Sequence, residues 1–318
     1  MRIVVVGGGS WGTAFSILLR DRGHQVALAC RDPDQAAAIR GSGRNPRYLT
    51  AADLTGVSPC SLESAPIEEA DLVAVAVPSA AFAGVVTALP GNAPLLSLTK
   101  GLDPGSGERL STLVRDRPVA VLSGPNIAEE IVRGLPAAAV VASADPELTV
   151  RLQLAITSGA FRVYANEDVV GVELCAAAKN VIALAAGGAD GLGLGDNAKS
   201  ALVTRGLAEM ARLAESAGGR PETFAGLAGM GDLIVTCWSP VGRNRRAGEL
   251  IARGASADEA VAKIGMVVEG LTTAPVLRDL SRRLGIEMPI TEGVCAVLGG
   301  TGLGELVAQL MRREPTTE

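Results

Sequence analysis

The feature that most constrains this fold is a short apolar run, Ile3–Val6, that ends in three glycines and opens the helix-forming stretch Ser10–Asp21. Gly7, Gly9 and Gly12 set a G-x-G-x-x-G spacing within it. With 39 glycines among 318 residues, about 0.6 such matches arise by chance, so the spacing alone says little. Its context says more. A strand, a tight turn and a helix N-terminus let bare backbone N–H groups approach a pyrophosphate. The first half keeps the alternation, with Gln25–Cys30, Leu72–Val77, Pro94–Leu98, Val119–Leu122 and Ala137–Ala142 reading as strands. Strands alternating with helices predict an α/β fold with a doubly wound parallel sheet of the Rossmann type.

After about Ala165 the pattern turns helical, through Val169–Gly188, Ala198–Ala217, Asp258–Ile264 and Thr272–Leu284. Ser256 and Glu259 form an S-x-x-E capping box. The expectation is a dinucleotide-binding Rossmann domain over 1–165 and an all-helical substrate-binding and catalytic domain over 166–318, with a frayed tail from Arg312.

Within Val169–Gly188, Lys179 and Asn180 stand side by side in otherwise apolar sequence. Each charge at the centre of a membrane helix costs roughly 2.5–3.5 kcal/mol, so Glu173 and Lys179 argue against an integral membrane segment. Lys179 can snorkel its head into water. Otherwise it must be paired, lose its charge or face a wet cavity. A lysine in a cavity can protonate a developing alkoxide. The one histidine, His24, sits in a polar turn before a strand and is expected to face solvent, which leaves proton transfer to Lys179. Five cysteines show no metal-binding spacing; they read as reduced thiols of a cytoplasmic protein with no metal site. Four apolar residues before the glycines are too few for a signal peptide. A net charge of -5 excludes a broad nucleic-acid footprint, so the local cluster Arg243, Arg245 and Arg246 suits a small anion.

Arg31 directly follows the second strand, where an arginine suits the 2′-phosphate of NADP and an acid suits the ribose of NAD. Asp32 comes next and reads as a helix cap before Pro33, so the preference leans to NADP. Lys100 lies just beyond a strand's carboxyl end, where ligands bind in open α/β sheets. VLSGPNIAEE (Val121–Glu130) is either an anion-binding helix start or a plain turn. In AGMGDLIVTCWSPVGRNRRAG (Ala228–Gly248), Asp232 sits in a glycine-rich turn, followed by Thr236 and a dense basic run.

Taken together, GGGSWGTA, TKGL, SGPN-x-A-E-E, ELCAAAKNVIALAAG, GLGDNAKSALVTRGLAEM, AGMGDLIVTC, GRNRRAG and VVEG resemble, in order and over nearly the whole chain, the bacterial NAD(P)-dependent glycerol-3-phosphate dehydrogenase family. The resemblance implies that Lys179 is the proton donor and acceptor at the substrate's C2 oxygen. It implies a phosphorylated triose or polyol held by Lys100, Gly124, Asn126, Asn180, Asp232, Thr236, Gly242, Arg243 and Asn244. NADPH or NADH would meet Gly7, Gly9, Ser10, Trp11, Gly12, Arg31, Tyr48, Lys100, Ala128, Arg243, Val267 and Glu269. The product would feed phospholipid synthesis, and a homodimer is the default assembly. Two positions depart from the family pattern. Asn126 replaces a usual Ser or Thr, and Gly242 replaces a usual Ser, so altered substrate affinity is expected. A related two-domain β-hydroxyacid or ketopantoate-type reductase would not need the arginine cluster. A non-catalytic NADP sensor would not need Lys179, Asp232 and Arg243.

Overall fold

The computed structural model describes residues 1–304, so the expected frayed tail from Arg312 lies outside the described residues. The first part runs β1 (Arg2–Val6), α1 (Ser10–Asp21), β2 (Gln25–Cys30), α2 (Pro33–Ser42), β3 (Val57–Ser61), β4 (Leu72–Val75) and α3 (Ser79–Ala88). It continues through β5 (Leu95–Ser97), β6 (Val119–Ser123), α4 (Ala128–Ile131), β7 (Ala137–Ser143), α5 (Pro146–Ile156) and β8 (Phe161–Asn166). These strands form one eight-stranded sheet in the order β3-β2-β1-β4-β5-β6-β7-β8. All neighbours are parallel except β6 and β7. The expected Rossmann-type sheet is present, and its apolar strands are buried as double coverage by helices requires.

Two strands escape the sequence pattern. β3 carries Pro59, which a strand tolerates at a sheet edge. β8 is the other edge, and its inward residues Phe161 and Val163 alternate with exposed Arg162 and Tyr164. His24 also differs from expectation. It is half-buried, with Nε2 2.9 Å from the Ala155 carbonyl oxygen, because the α1–β2 turn packs against the end of α5.

The glycine turn is dictated by contact. Gly7 has φ +119, and a Cβ on Gly12 would lie 1.9 Å from the Gly7 carbonyl oxygen. Only glycine lets α1 start so close to β1.

The second part is helical: α6 (Val169–Gly191), α7 (Gly195–Ser216), α8 (Pro221–Ala225), α9 (Asp232–Trp238), α10 (Arg243–Ala252), α11 (Ala257–Ile264), α12 (Glu269–Arg283) and α13 (Pro289–Leu298). α6 is the spine. It is long and apolar enough to cross a membrane, yet 83% of its most apolar window is buried inside the protein. The link between the first two helices is only three residues, because α6 runs on to Gly191 past the expected Gly188 and α7 begins at Gly195 rather than Ala198. The basic run Arg243–Arg246 is the first turn of a helix. Asp168 caps α6 through the Gly171 N–H at 2.8 Å. Ser256 and Glu259 form the expected capping box on α11.

Helix α10 meets α6 backbone to backbone. A Cβ on Gly187 would lie 1.8 Å from the Arg245 carbonyl oxygen, and one on Gly248 would lie 1.9 Å from that of Leu184. Gly270, at the start of α12, closes the same seam, since its Cβ would be 2.6 Å from the Asn180 carbonyl oxygen. α6 is also fixed to the connection between β5 and β6. Glu173 accepts hydrogen bonds from Ser111 N–H at 2.8 Å, Ser111 Oγ at 2.5 Å and Arg109 Nη1 at 2.9 Å.

The seam yields a stability prediction. Gly248→Ala forces α6 and α10 apart, and overpacking of this kind costs roughly 1–3 kcal/mol. The urea midpoint is expected to fall with the m-value unchanged. An unaltered midpoint would contradict the contact.

Candidate active site

Lys179 lies midway along α6 and is only 4% exposed. It does not snorkel. Its Nζ donates to Asp232 Oδ1 and, at 2.9 Å, to Thr236 Oγ1. Asp232 is 1% exposed and opens α9 directly after a π-type turn over Leu227–Gly231. That turn needs Gly229, whose Cβ would stand 2.2 Å from the Phe224 carbonyl oxygen. Thr236, one helical turn beyond Asp232, donates back to its carbonyl oxygen at 2.6 Å. The spacing puts both side chains toward Lys179.

The sheet supplies the other half. Lys100, just past β5, donates to Asp232 Oδ2 at 2.8 Å and to the Gly124 carbonyl oxygen at 3.0 Å. Ser123, the last residue of β6, donates to the same Oδ2 at 3.2 Å. Gly124 has φ +136, and a Cβ there would lie 3.0 Å from the Ala138 carbonyl oxygen. Asp232 therefore faces two ammonium groups across the junction of sheet and helices, outside the strands' carboxyl ends.

An amide chain leads from this cluster to α10. Asn180 Nδ2 donates to the Ala176 carbonyl oxygen at 3.2 Å, and its Oδ1 accepts from Asn244 Nδ2 at 2.9 Å. Asn244 Oδ1 accepts from Gly270 N–H at 2.9 Å. Arg243 Nη1 donates to the Val267 carbonyl oxygen at 3.1 Å. Arg245 turns away to Asp190, which also holds Lys199, so the arginines of the basic run do different work. Gly242 is the N-cap of α10 and gives it no side-chain cap. The first turn's N–H groups thus keep their affinity for an anion. The serine usual at this position would be a helix cap, worth only a few tenths of a kcal/mol over glycine. Asn126 is notable because neither of its buried side-chain amide atoms has a hydrogen-bond partner. A buried unsatisfied polar group is costly, so this amide is poised for a polar ligand.

Burial governs the charges. It pushes the Lys179 ammonium down to about 7, with Lys100 acting in the same direction and Asp232 opposing both. Burial alone would push the Asp232 carboxyl up, but the two lysines hold it below the usual carboxylate range. Lys179 can therefore change protonation state near neutrality, as a general acid and base must.

Apart from Lys100, the residues expected to meet the dinucleotide fall outside this cluster or at its border. Gly9 caps α1 with no side-chain bond, and a Cβ on it would meet nothing within 4 Å. That open, uncapped helix start fits a pyrophosphate. Ser10 and Trp11 are in the first turn of α1, and Trp11 Nε1 is buried without a partner. Ala128 opens α4. Arg31, after β2, is three strand positions from Lys100, after β5. At the usual strand spacing that is roughly 14 Å, so Arg31 and Tyr48 stand apart from the Lys179 cluster. Val267 is 43% exposed beside Arg243. Glu269 accepts from Ser79 N–H at 3.1 Å and Ser79 Oγ at 2.6 Å, which ties α12 to α3. Burial raises its carboxyl despite those bonds.

Sequence reasoning missed Ser123 and Asn45. Asn45 is fully buried, and its Nδ2 donates to the Gly8 carbonyl oxygen at 3.0 Å and Thr13 Oγ1 at 2.9 Å. Its Oδ1 accepts from Gln35 Nε2 and from the N–H groups of Arg47 and Tyr48. Nothing in RNPRY marks this asparagine as buried.

Comparison with known proteins places the geometry. Residues 2–149 match the family described as NAD-dependent glycerol-3-phosphate dehydrogenase N-terminus, and residues 168–305 match its C-terminus. The glycerol-3-phosphate dehydrogenase (NAD(P)+) of Moorella thermoacetica is 47% identical, over 99% of this chain and 97% of that protein. The crystal structure of a glycerol-3-phosphate dehydrogenase from Coxiella burnetii superposes with a TM-score of 0.94 at 36% identity, covering 98% of this chain and 99% of that one. A ketopantoate reductase from Ralstonia eutropha gives a TM-score of 0.59 at 19% identity, covering 98% and 100%. That likeness shows the fold alone.

Proposed function

The chain belongs to the NAD-dependent glycerol-3-phosphate dehydrogenase family, and we propose that Lys179 is the group that exchanges a proton with the substrate's C2 oxygen. The protein is an oxidoreductase that interconverts dihydroxyacetone phosphate and sn-glycerol 3-phosphate with NAD(P)H. Bound NADH or NADPH supplies hydride to C2. Gly9 and the start of α1 would hold its pyrophosphate, in the turn that Gly7 and Gly12 make possible, with Ser10, Trp11, Tyr48, Ala128, Val267 and Glu269 around the dinucleotide.

The supporting observation is the arrangement Lys179–Asp232–Lys100, bordered by Asn180 and the Arg243–Asn244 turn. In the reductive direction, charged Lys179 donates its proton as negative charge grows on the C2 oxygen. Thr236 and Asp232 fix the direction of that ammonium. Arg243, Asn244 and the start of α10 take the phosphate, since a guanidinium fork and free backbone N–H groups suit its oxygens. Asn126 offers its amide to a polar group of substrate or cofactor. Arg31 favours NADPH. The five cysteines are free thiols, in keeping with a reducing cytoplasm. A cytoplasmic homodimer supplying glycerol 3-phosphate for phospholipid synthesis completes the reading.

Two outcomes are expected. Lys179→Ala should cut turnover by about 10²–10⁴ or more while dinucleotide binding, read by fluorescence titration, persists. Ordinary turnover in that variant would refute the assignment. Cofactor oxidation by the wild type should require dihydroxyacetone phosphate and fail with dihydroxyacetone.

The pH dependence has a definite sign. Reduction needs the Lys179 ammonium, so its rate should fall as pH rises through about 7. Oxidation needs the neutral amine and should rise over the same interval. Parallel profiles for the two directions would contradict a single shared proton carrier.

A further inference from the structure

The adenosine end of the cofactor site carries both signs of charge. A carboxylate just after the second strand of such a unit accepts the ribose 2′-OH of NAD and repels the 2′-phosphate of NADP. Here exposed Arg31 and partly exposed Asp32 follow β2 together. Asp32 is already engaged at both oxygens. Oδ1 accepts from Asp34 N–H at 3.0 Å and caps α2. Oδ2 is paired with Arg47 Nη2 at 2.8 Å.

Arg47 is not an arbitrary surface charge. Its N–H donates at 3.1 Å to Oδ1 of buried Asn45, whose own amide grips Gly8 in the glycine turn and Thr13 in α1. The backbone that carries Arg47 is therefore fixed to the pyrophosphate-binding turn. Its side chain is 60% exposed, and that of Asp32 is 30% exposed.

We propose that Arg47, by pairing with Asp32, cancels the carboxylate that would otherwise repel a 2′-phosphate, and so admits NADP(H) to this site. Arg31 is then left as an uncompensated cation beside the ribose, and the local balance of these three groups is positive. Without Arg47 the balance is zero, and Asp32 regains a free oxygen for a 2′-OH. The pair sets dinucleotide choice. It contributes little to folding, because exposed ion pairs are worth little to stability. The inference rests on the reading that the glycine turn holds NAD(P)H.

The test is a cycle of four proteins: wild type, Arg47→Ala, Asp32→Asn and the double variant. For each, kcat/KM is measured with NADPH and with NADH at saturating dihydroxyacetone phosphate. Asparagine caps a helix as well as aspartate does, so Asp32→Asn leaves α2 intact. Arg47→Ala should lower kcat/KM for NADPH by about tenfold or more, the scale of one charged hydrogen bond, with NADH held or improved. Adding Asp32→Asn should restore most of the NADPH activity. An unchanged NADPH-to-NADH ratio in Arg47→Ala would overturn the proposal. So would a loss that persists in the double variant, since Arg47 would then act on the phosphate directly. A wild type that turns over neither dinucleotide would instead refute the underlying cofactor reading.

Discussion

A single buried carboxylate, Asp232, faces two ammonium groups that arrive from different halves of the chain. Lys100 comes from the sheet and Lys179 from the central helix, and neither could be buried here with its charge unopposed. The desolvation of such groups is costly enough that a buried ion pair is weak evidence for stability. Its consequence here is chemical. Two cations against one anion leave a surplus of positive charge inside the cleft, suited to a phosphorylated substrate and to the oxyanion that forms when hydride reaches a ketone. Burial and the second lysine together bring Lys179 into the range where it can both give and take a proton.

The rest of the fold serves to bring these groups together. Backbone-to-backbone packing of α6 on α10 through Gly187 and Gly248 sets Asn244 against Asn180 and aims the start of α10 at the cluster. Glu173 locks the same spine helix to Arg109 and Ser111 in the connection between β5 and β6, the segment that also carries Lys100. At the opposite end of the cleft, Asn45 anchors the loop that carries Arg47 and Tyr48 to the glycine turn. Hydride chemistry and dinucleotide recognition are thus supported by separate buried networks.

Much of this was legible in the sequence, for identifiable reasons. The strand, glycine and helix succession at Ile3–Asp21 leaves few folds open, and a lysine in an apolar helix demands a partner. What stayed hidden depends on tertiary contact. β3 breaks the strand pattern with Pro59 because it is an edge. The basic run Arg243–Arg246 hides a helix start because Gly242 gives it no polar cap. Ser123 is one serine among many until β6 brings it within reach of Asp232, and Asn45 gives no local sign of its burial. His24 was read as a surface residue because its turn is polar, whereas α5 packs against it from more than a hundred positions away.

The central claim is that Asp232 holds the Lys179 ammonium against burial and the second lysine, and a direct titration tests it. Heteronuclear NMR of isotopically labelled lysine side chains would follow the Lys179 amine through pH 5–10 in the wild type and in Asp232→Asn. Asp232 favours the Lys179 ammonium, while burial and Lys100 oppose it. The account therefore predicts a midpoint near 7 in the wild type and a clearly lower one in the variant. A midpoint that stays put or rises in Asp232→Asn would contradict it.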